Sequence, residues 1–193
     1  MFDEMKEGIR EVLTNRTPEN DLRARLHADH VEVARLIDEL LATEEYEISM
    51  REDLRDRIVM DLTVHARAEE EVVYDFLAQH PATQAGTQQA FHEHDEMDRL
   101  LALLDRMDGS DVNLELIVDQ LKEAVQRHVH EEETELLPTG EQEIGQERLA
   151  QLIPMFNARK ASVSAEMASR AQARETVGYR RTTLAYEETD SRY

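Results

Sequence analysis

Residues 54–76 read LRDRIVMDLTVHARAEEEVVYDF, and the reading of this stretch decides the fold. Leu54, Ile58, Leu62, Val72/Val73 and Phe76 recur at the spacing of one helix face, so the segment predicts a long amphipathic helix. Two residues on that face break the apolar rule. His65 and Glu69, one turn apart, fall on the stripe between Leu62 and Val73. A helix that buries this stripe also buries an imidazole and a carboxylate.

The same anomaly recurs outward in both directions. Before it, Thr17-Pro18-Glu19 reads as an N-cap with proline at the first helical position. A helix then runs to about Thr43 on Leu22, Leu26, Val33, Ile37 and Leu40, with His30 on that stripe. Ser49-Met50-Arg51-Glu52 has the form of a capping box for the second helix, which His80-Pro81 ends. A third helix carries Phe91, Met97, Leu101 and Leu104, with His94 three residues after Phe91 and three before Met97. After Asp108-Gly109-Ser110-Asp111 a fourth uses Leu114, Ile117, Leu121 and Val125. His128 follows Val125 by three, Glu132 stands one turn later, and the helix is expected to end near Leu136-Leu137-Pro138. Thr139-Gly140 reads as a further break before a fifth helix, which Pro154 bends or restarts.

Four helices with short connections predict an all-α, up-down-up-down four-helix bundle over residues 17–157, including the start of the fifth helix. A short amphipathic segment over 1–16 (Phe2, Met5, Ile9, Val12, Leu13) precedes it. A C-terminal extension over 158–193, partly disordered, follows. Six glycines and four prolines suit an all-helical chain, and the absence of tryptophan leaves the core to Leu, Ile, Val, Met and Ala.

Composition excludes whole classes of chemistry. With no cysteine there are no disulfides, thiolate zinc sites, iron–sulfur clusters or thiol nucleophiles, so any metal takes nitrogen and oxygen ligands, which suits iron, manganese or zinc. A net charge of −21 argues against nucleic acid and anionic membranes as partners. The first residues lack the basic start and apolar run of a signal peptide, and no segment is long and apolar enough for a membrane span, so the expected location is cytoplasmic. Neither a phosphate-binding glycine loop nor a Gly-x-Ser-x-Gly motif is present.

A lone histidine on an apolar face is ordinarily a satisfied core residue. Four of them on four helices, with two glutamates, are a different matter. Burying one polar group without a partner costs about 1–3 kcal/mol. His30, His65, Glu69, His94, His128 and Glu132 together would therefore cost about 6–18 kcal/mol, against a net domain stability of about 5–15 kcal/mol. They must satisfy one another or hold cations, and an imidazole with a carboxylate one turn later presents two ligands from one helix. A ferritin-like site, with its Glu-x-x-His motifs, does not fit. A three-histidine zinc site would leave one histidine and one glutamate unused. His27, His80, His92 and His130 lie off the stripes and read as surface or supporting residues. Asp61, one turn before His65, is a candidate partner for its outer nitrogen, and Tyr74 reads as a packing residue.

Ala28-Asp29-His30, the run from His65 to Tyr74, His94-Asp95-Glu96-Met97 and the run from His128 to Pro138 resemble the hemerythrin-like (HHE cation-binding) domain over about residues 20–157. The resemblance implies a bundle around two non-haem iron ions bridged by carboxylates and an oxo or hydroxo group, with one iron open to dioxygen or a related diatomic or peroxide ligand. It implies His30, His65, Glu69, His94 and His128 as ligands with Glu132 as the second bridge. Glu133 is the alternate, because oxygen carriers place this carboxylate one residue further on. Those carriers also present a histidine one turn before the helix-three ligand, where this chain has Ala90; Asp98, one turn after His94, is a substitute candidate. The vacancy favours oxygen, redox or iron sensing, or detoxification, over bulk oxygen carriage. A di-iron enzyme acting on peroxide or nitric oxide, and a metal-free helical interaction module, are the competing readings.

Overall fold

The computed structural model describes residues 16–190, and every regular element within them is helical. In chain order these are α1 (Leu22–Leu41), α2 (Ile48–Ala68), a π-helical turn (Glu69–Tyr74), α3 (Asp75–Leu77), α4 (Gln84–Leu104), α5 (Leu114–Glu131), a second π turn (Glu132–Leu136), α6 (Leu137–Ile144), α7 (Gln146–Ala150) and α8 (Ile153–Asp190). The amphipathic segment expected over residues 1–16 lies, apart from Arg16, outside the described residues. Of the extension expected over 158–193, residues 191–193 and the side chains of 171 and 173–190 also lie outside them.

Local chemistry moves several expected boundaries. Residues 17–20 form a turn in which the Asn20 and Asp21 N–H groups both bond to Thr17 O. The cap of α1 is Asp21, whose Oδ1 accepts the Ala24 N–H at 2.9 Å. Its Oδ2 accepts from Gln146 at 2.7 Å, so one buried carboxylate caps α1 and ties α7 to it. The capping box over Ser49–Glu52 does not form. Helix α2 already begins at Ile48, and Glu52 Oε1 accepts the Gly109 N–H at 3.3 Å from the loop before α5. A Cβ at Gly109 would lie 2.4 Å from Ile48 O, a closeness that only glycine allows.

The fourth long helix does not stop at Pro138. The wider π turn carries the chain past the position where proline would remove an α-helical bond, with the Leu137 N–H reaching back five residues to Glu132 O. Pro138 then sits in the first turn of α6. Nor is Gly140 a break: it is buried, and a Cβ there would meet Leu77 Cδ2 at 3.1 Å. The break falls at Gly145, whose φ of +94° strains any side chain. Pro154 restarts the chain within the first turn of α8.

Helix α1 packs on α2 and α5, and α4 packs on the same two, so the four long helices close a ring; α8 lies along α2 and its π turn. The interior is stratified. Val33, Leu62, Met97, Leu121 and Val125 belong to one apolar cluster, while Leu26, Ala68, Tyr74, Ala90, Leu136 and Phe156 belong to another. Each anomalous histidine falls in sequence between a member of one cluster and a member of the other. The polar residues therefore form a layer between two apolar half-cores. Among the described residues, no helix is long and apolar enough to cross a membrane.

Candidate metal centre

All six expected residues are buried in that layer: His30 from α1, His65 from α2, Glu69 from the first π turn, His94 from α4, His128 from α5 and Glu132 from the second π turn. The imidazoles meet in two pairs through their inner nitrogens. His30 Nε2 lies 3.1 Å from His65 Nε2, and His94 Nε2 lies 3.2 Å from His128 Nε2. Glu69 Oε2 stands between the pairs, 3.2 Å from His65 Nε2 and 3.6 Å from His94 Nε2. Glu132 lies beside Glu69, with Oε2 3.4 Å from His30 Nε2 and Oε1 2.9 Å from the Tyr74 hydroxyl, which also reaches Glu69. One donor atom each from His30, Glu69, His128 and Glu132 falls within 4.8 Å of all the others.

The outer nitrogen of every one of these imidazoles is held by a carboxylate. The Nδ1–H of His30 donates to Glu133 at 2.6 Å, that of His65 to Asp29 at 3.3 Å, that of His94 to Glu70 at 3.0 Å and that of His128 to Glu93 at 3.0 Å. This fixes the tautomer and turns each Nε2 lone pair inward. Two inward lone pairs 3.1 Å apart repel unless a proton or a cation lies between them. Glu69 Oε1 and Glu132 Oε2 add two buried carboxylate oxygens with no hydrogen-bond partner.

In the metal-free chain, protons answer part of that demand. Burial opposes charge on His65, but Glu69 and Asp29 outweigh it and raise its pKa to about 9. Burial, reinforced by the neighbouring Glu69, pushes Glu132 well above the carboxylate range. Glu69 itself is drawn down against burial by His65, His94 and His30. Burial, together with the charges of His94 and His30, lowers His128 to about 4 despite its bond to Glu93. Outside the layer, His27 and His30 hold Glu133 at about 2 against burial.

The alternates fall elsewhere. Glu133 faces away from the imidazole pairs, toward the Nδ1 atoms of His27 and His30. Asp98 is exposed in a surface groove with Arg67 and Met167. Asp61 is not the partner of His65; Asp29, next to His30 in sequence, takes that place and is itself held by Lys160 of α8. Tyr74 does more than pack: its buried hydroxyl lies 3.1 Å from Glu69 Oε2 and 3.4 Å from His94 Nε2 as well as bonding Glu132. Asp29, Glu70 and Glu93 carry no stripe signal, because supporting carboxylates sit on helix flanks. On the opposite side of the imidazoles is a cavity of about 10 Å³, walled by the four histidines and by Val33, Leu62, Met97, Val125 and Val129. His92 and His130 are exposed, and His80 bonds Phe76 O at its helix end.

A sequence profile of the family described as the hemerythrin HHE cation-binding domain matches residues 21–139. A protein described as a DNA nickase, from Nostoc sp. (strain PCC 7120 / SAG 25.82 / UTEX 2576), is 31% identical over 115 residues. The shared part is 60% of this chain and 32% of that protein, so the chain spans about a third of the length of the curated relative it matches. No solved structure matches.

Proposed function

The chain belongs to the hemerythrin HHE cation-binding domain family through residues 21–139, and from that membership we propose a non-haem di-iron protein that binds dioxygen or a related small ligand in oxygen, redox or iron sensing or in detoxification. We read the ring of helices as an up-down-up-down four-helix bundle built around the metal pair. The observation that carries the proposal is the spacing of the inward atoms. Metal–nitrogen and metal–oxygen bonds of about 2.0–2.2 Å put neighbouring ligand atoms about 3 Å apart. The imidazole pairs at 3.1 and 3.2 Å, with Glu69 Oε2 at 3.2 Å from His65, have that spacing. The two orphaned carboxylate oxygens and a donor set of nitrogen and oxygen alone also suit iron.

His30 and His65 would hold one ion, His94 and His128 the other, with Glu69 and Glu132 shared between them. When bound, the iron pair supplies one-electron redox chemistry and an open position for a small ligand. The rest is the work of the chain. Asp29, Glu70, Glu93 and Glu133 orient the imidazoles. Glu132 and Tyr74 hold protons beside the site, and the two apolar half-cores exclude bulk water. The cavity of about 10 Å³ is near the size that admits a single water, and its aliphatic wall favours a small neutral molecule over an ion.

Ala90, where an oxygen carrier presents histidine, supports sensing or detoxification over carriage. The nickase activity of the longer relative is not carried over. A charge of −21 supports the shared segment as a metal-holding domain, not a DNA contact. The test is metal analysis and the optical spectrum of protein purified without chelators. Two irons per chain with near-ultraviolet charge-transfer bands are expected. Less than half an equivalent of iron, with unchanged thermal stability in His65→Ala/His128→Ala, would sink the reading. Peroxide turnover well above that of free iron would shift it from binding protein to enzyme.

A further inference from the structure

We propose that the pole of the bundle where α1 passes into α2 and α4 into α5 is a docking surface for a protein partner whose apolar anchors are ringed by lysine and arginine. Seven large hydrophobic side chains are exposed among the described residues, and five of them lie here. They are Tyr46, Ile48 and Met50 at the first passage and Val112 and Leu116 at the second. Single exposed apolar residues are ordinary, but their concentration at one place marks a contact site. Val112 at 93% exposure and Tyr46 at 80% have almost nothing of the chain over them. Tyrosine and methionine are also enriched where proteins meet. The half-core below is already closed by Leu40, Leu54, Leu104 and Leu114, so the exposed five are not needed to seal it.

The two passages are fastened side by side. Gly109 leaves no room for a Cβ against Ile48 O, and its N–H bonds Glu52 Oε1 at 3.3 Å. Arg55 donates to Met107 O, and Arg51, buried in the first turn of α2, pairs with Glu115 at 3.4 Å. The apolar residues are therefore held in one arrangement before any partner arrives, which spares the cost of ordering them. Charge then selects the occupant. Glu44, Glu45, Glu47, Asp108, Asp111 and Glu115 flank the five in sequence and reach solvent. Of the nearby cations, Arg51 is buried and Arg55 is engaged by Met107 O and Asp56, while Arg106 is exposed. A second copy docked face to face would set one acidic rim on another, and an anionic membrane is repelled in the same way. Lysine and arginine around an apolar centre are the complement, and they also steer the encounter. The pole is separated from the inner polar layer by a whole half-core, so this surface stands apart from the metal reading.

The probe is a synthetic amphipathic helix of about 18 residues with a leucine stripe, lysine elsewhere and one tryptophan in the stripe. The full chain has no tryptophan, so the emission reports the peptide alone. A saturable one-to-one blue shift is expected. Tyr46→Ser/Val112→Ser weakens it at least about tenfold, and Glu44→Gln/Glu45→Gln weakens it to a smaller degree. Met155→Ser, at an exposed apolar residue in the first turn of α8, leaves it unchanged. The same peptide with glutamate in place of lysine does not bind. All the replaced side chains are exposed, so the variants keep the parent Tm. Amide shifts caused by the peptide should cluster in residues 44–50 and 108–116. No binding by the parent chain, binding that survives Tyr46→Ser/Val112→Ser, or shifts centred elsewhere overturns the proposal. A dimer in sedimentation that the same double variant splits assigns the pole to a second copy. Binding to phosphatidylcholine vesicles that it abolishes assigns the pole to a membrane, and either result also overturns the proposal.

Discussion

Glu132 and His65 both carry protons in the metal-free chain, one because burial denies it a charge and the other because two carboxylates demand one. Both folded pKa values lie above their unfolded values. Their stabilisation is therefore full below about 4.5 for the glutamate and about 6.5 for the histidine, and is lost as pH rises through the folded values. Glu133, lowered to about 2, works the other way: its stabilisation is present above the unfolded value and lost as pH falls toward about 2. Chelator-treated protein should accordingly melt highest in mildly acid solution and lose stability toward pH 9, measured as Tm against pH. Metal binding must expel the protons on His65 and Glu132, so iron affinity should rise with pH. Calorimetry in buffers of different ionisation enthalpy would count the protons released, and no release would contradict the account. Glu132→Gln separates fold from function: at pH 7 the metal-free chain should be as stable or more so, while iron affinity falls by at least about a hundredfold, beyond the 10–100-fold typical of a supporting residue. His30, His65, His94 and His128 were legible because they interrupt apolar stripes. Tyr74 was not, because its five-residue spacing from Glu69 points elsewhere on an α-helix.

At the scale of elements, the two π turns are what the sequence concealed. No residue type announces a π turn, yet each one holds a glutamate of the inner layer. The second also explains how adjacent Glu132 and Glu133 are both buried with separate tasks, one turned to the imidazole pairs and one to the outer nitrogen of His30. Helix α8 lies wholly beyond the family match but not beyond the site's support. Phe156 is fully buried with its ring edge-on to His65 at 5.9 Å, Lys160 holds Asp29, and Arg159 pairs twice with Glu71 at 2.7 Å. Phe156→Ala should cost about 3–5 kcal/mol by chemical denaturation. Asp29→Asn should lower iron affinity about 10–100-fold with little loss of fold, and Lys160→Met should do the same to a smaller degree. Equal losses of stability and affinity in all three would mean that α8 only packs. Apolar residues past Asn157 are too sparse to mark this helix's role, because beyond Phe156 its contribution rests on a few contacts, among them Lys160 with Asp29 and the buried Val163.

For the whole molecule, the ring of helices followed from stripe spacing and short connections, and the helix boundaries moved where a side chain found a tertiary partner, as Glu52 did in Gly109, or where the backbone took another course, as in the π turn before Pro138 and at Gly145. Metal should bind the folded chain and not the unfolded one. At free iron 100-fold above Kd this adds about 2.7 kcal/mol, which raises Tm by roughly 5–10 °C for a domain of this size; calorimetric scans with and without chelator would show it. The acidic surface should leave duplex DNA unbound at physiological salt. Salt-dependent retardation of a DNA fragment by the iron-loaded protein would bring the longer relative's activity back into consideration.

The polar layer lies between two apolar half-cores, and neither half-core needs an ion to be complete. That arrangement sets an order of maturation. On the two-metal reading, the chain should collapse and pack both halves with protons holding the seam between them, and the metal should then enter a finished scaffold. Loss of the metal should then return the same scaffold, ready to be reloaded, and the protein's lifetime should not depend on the supply of its metal.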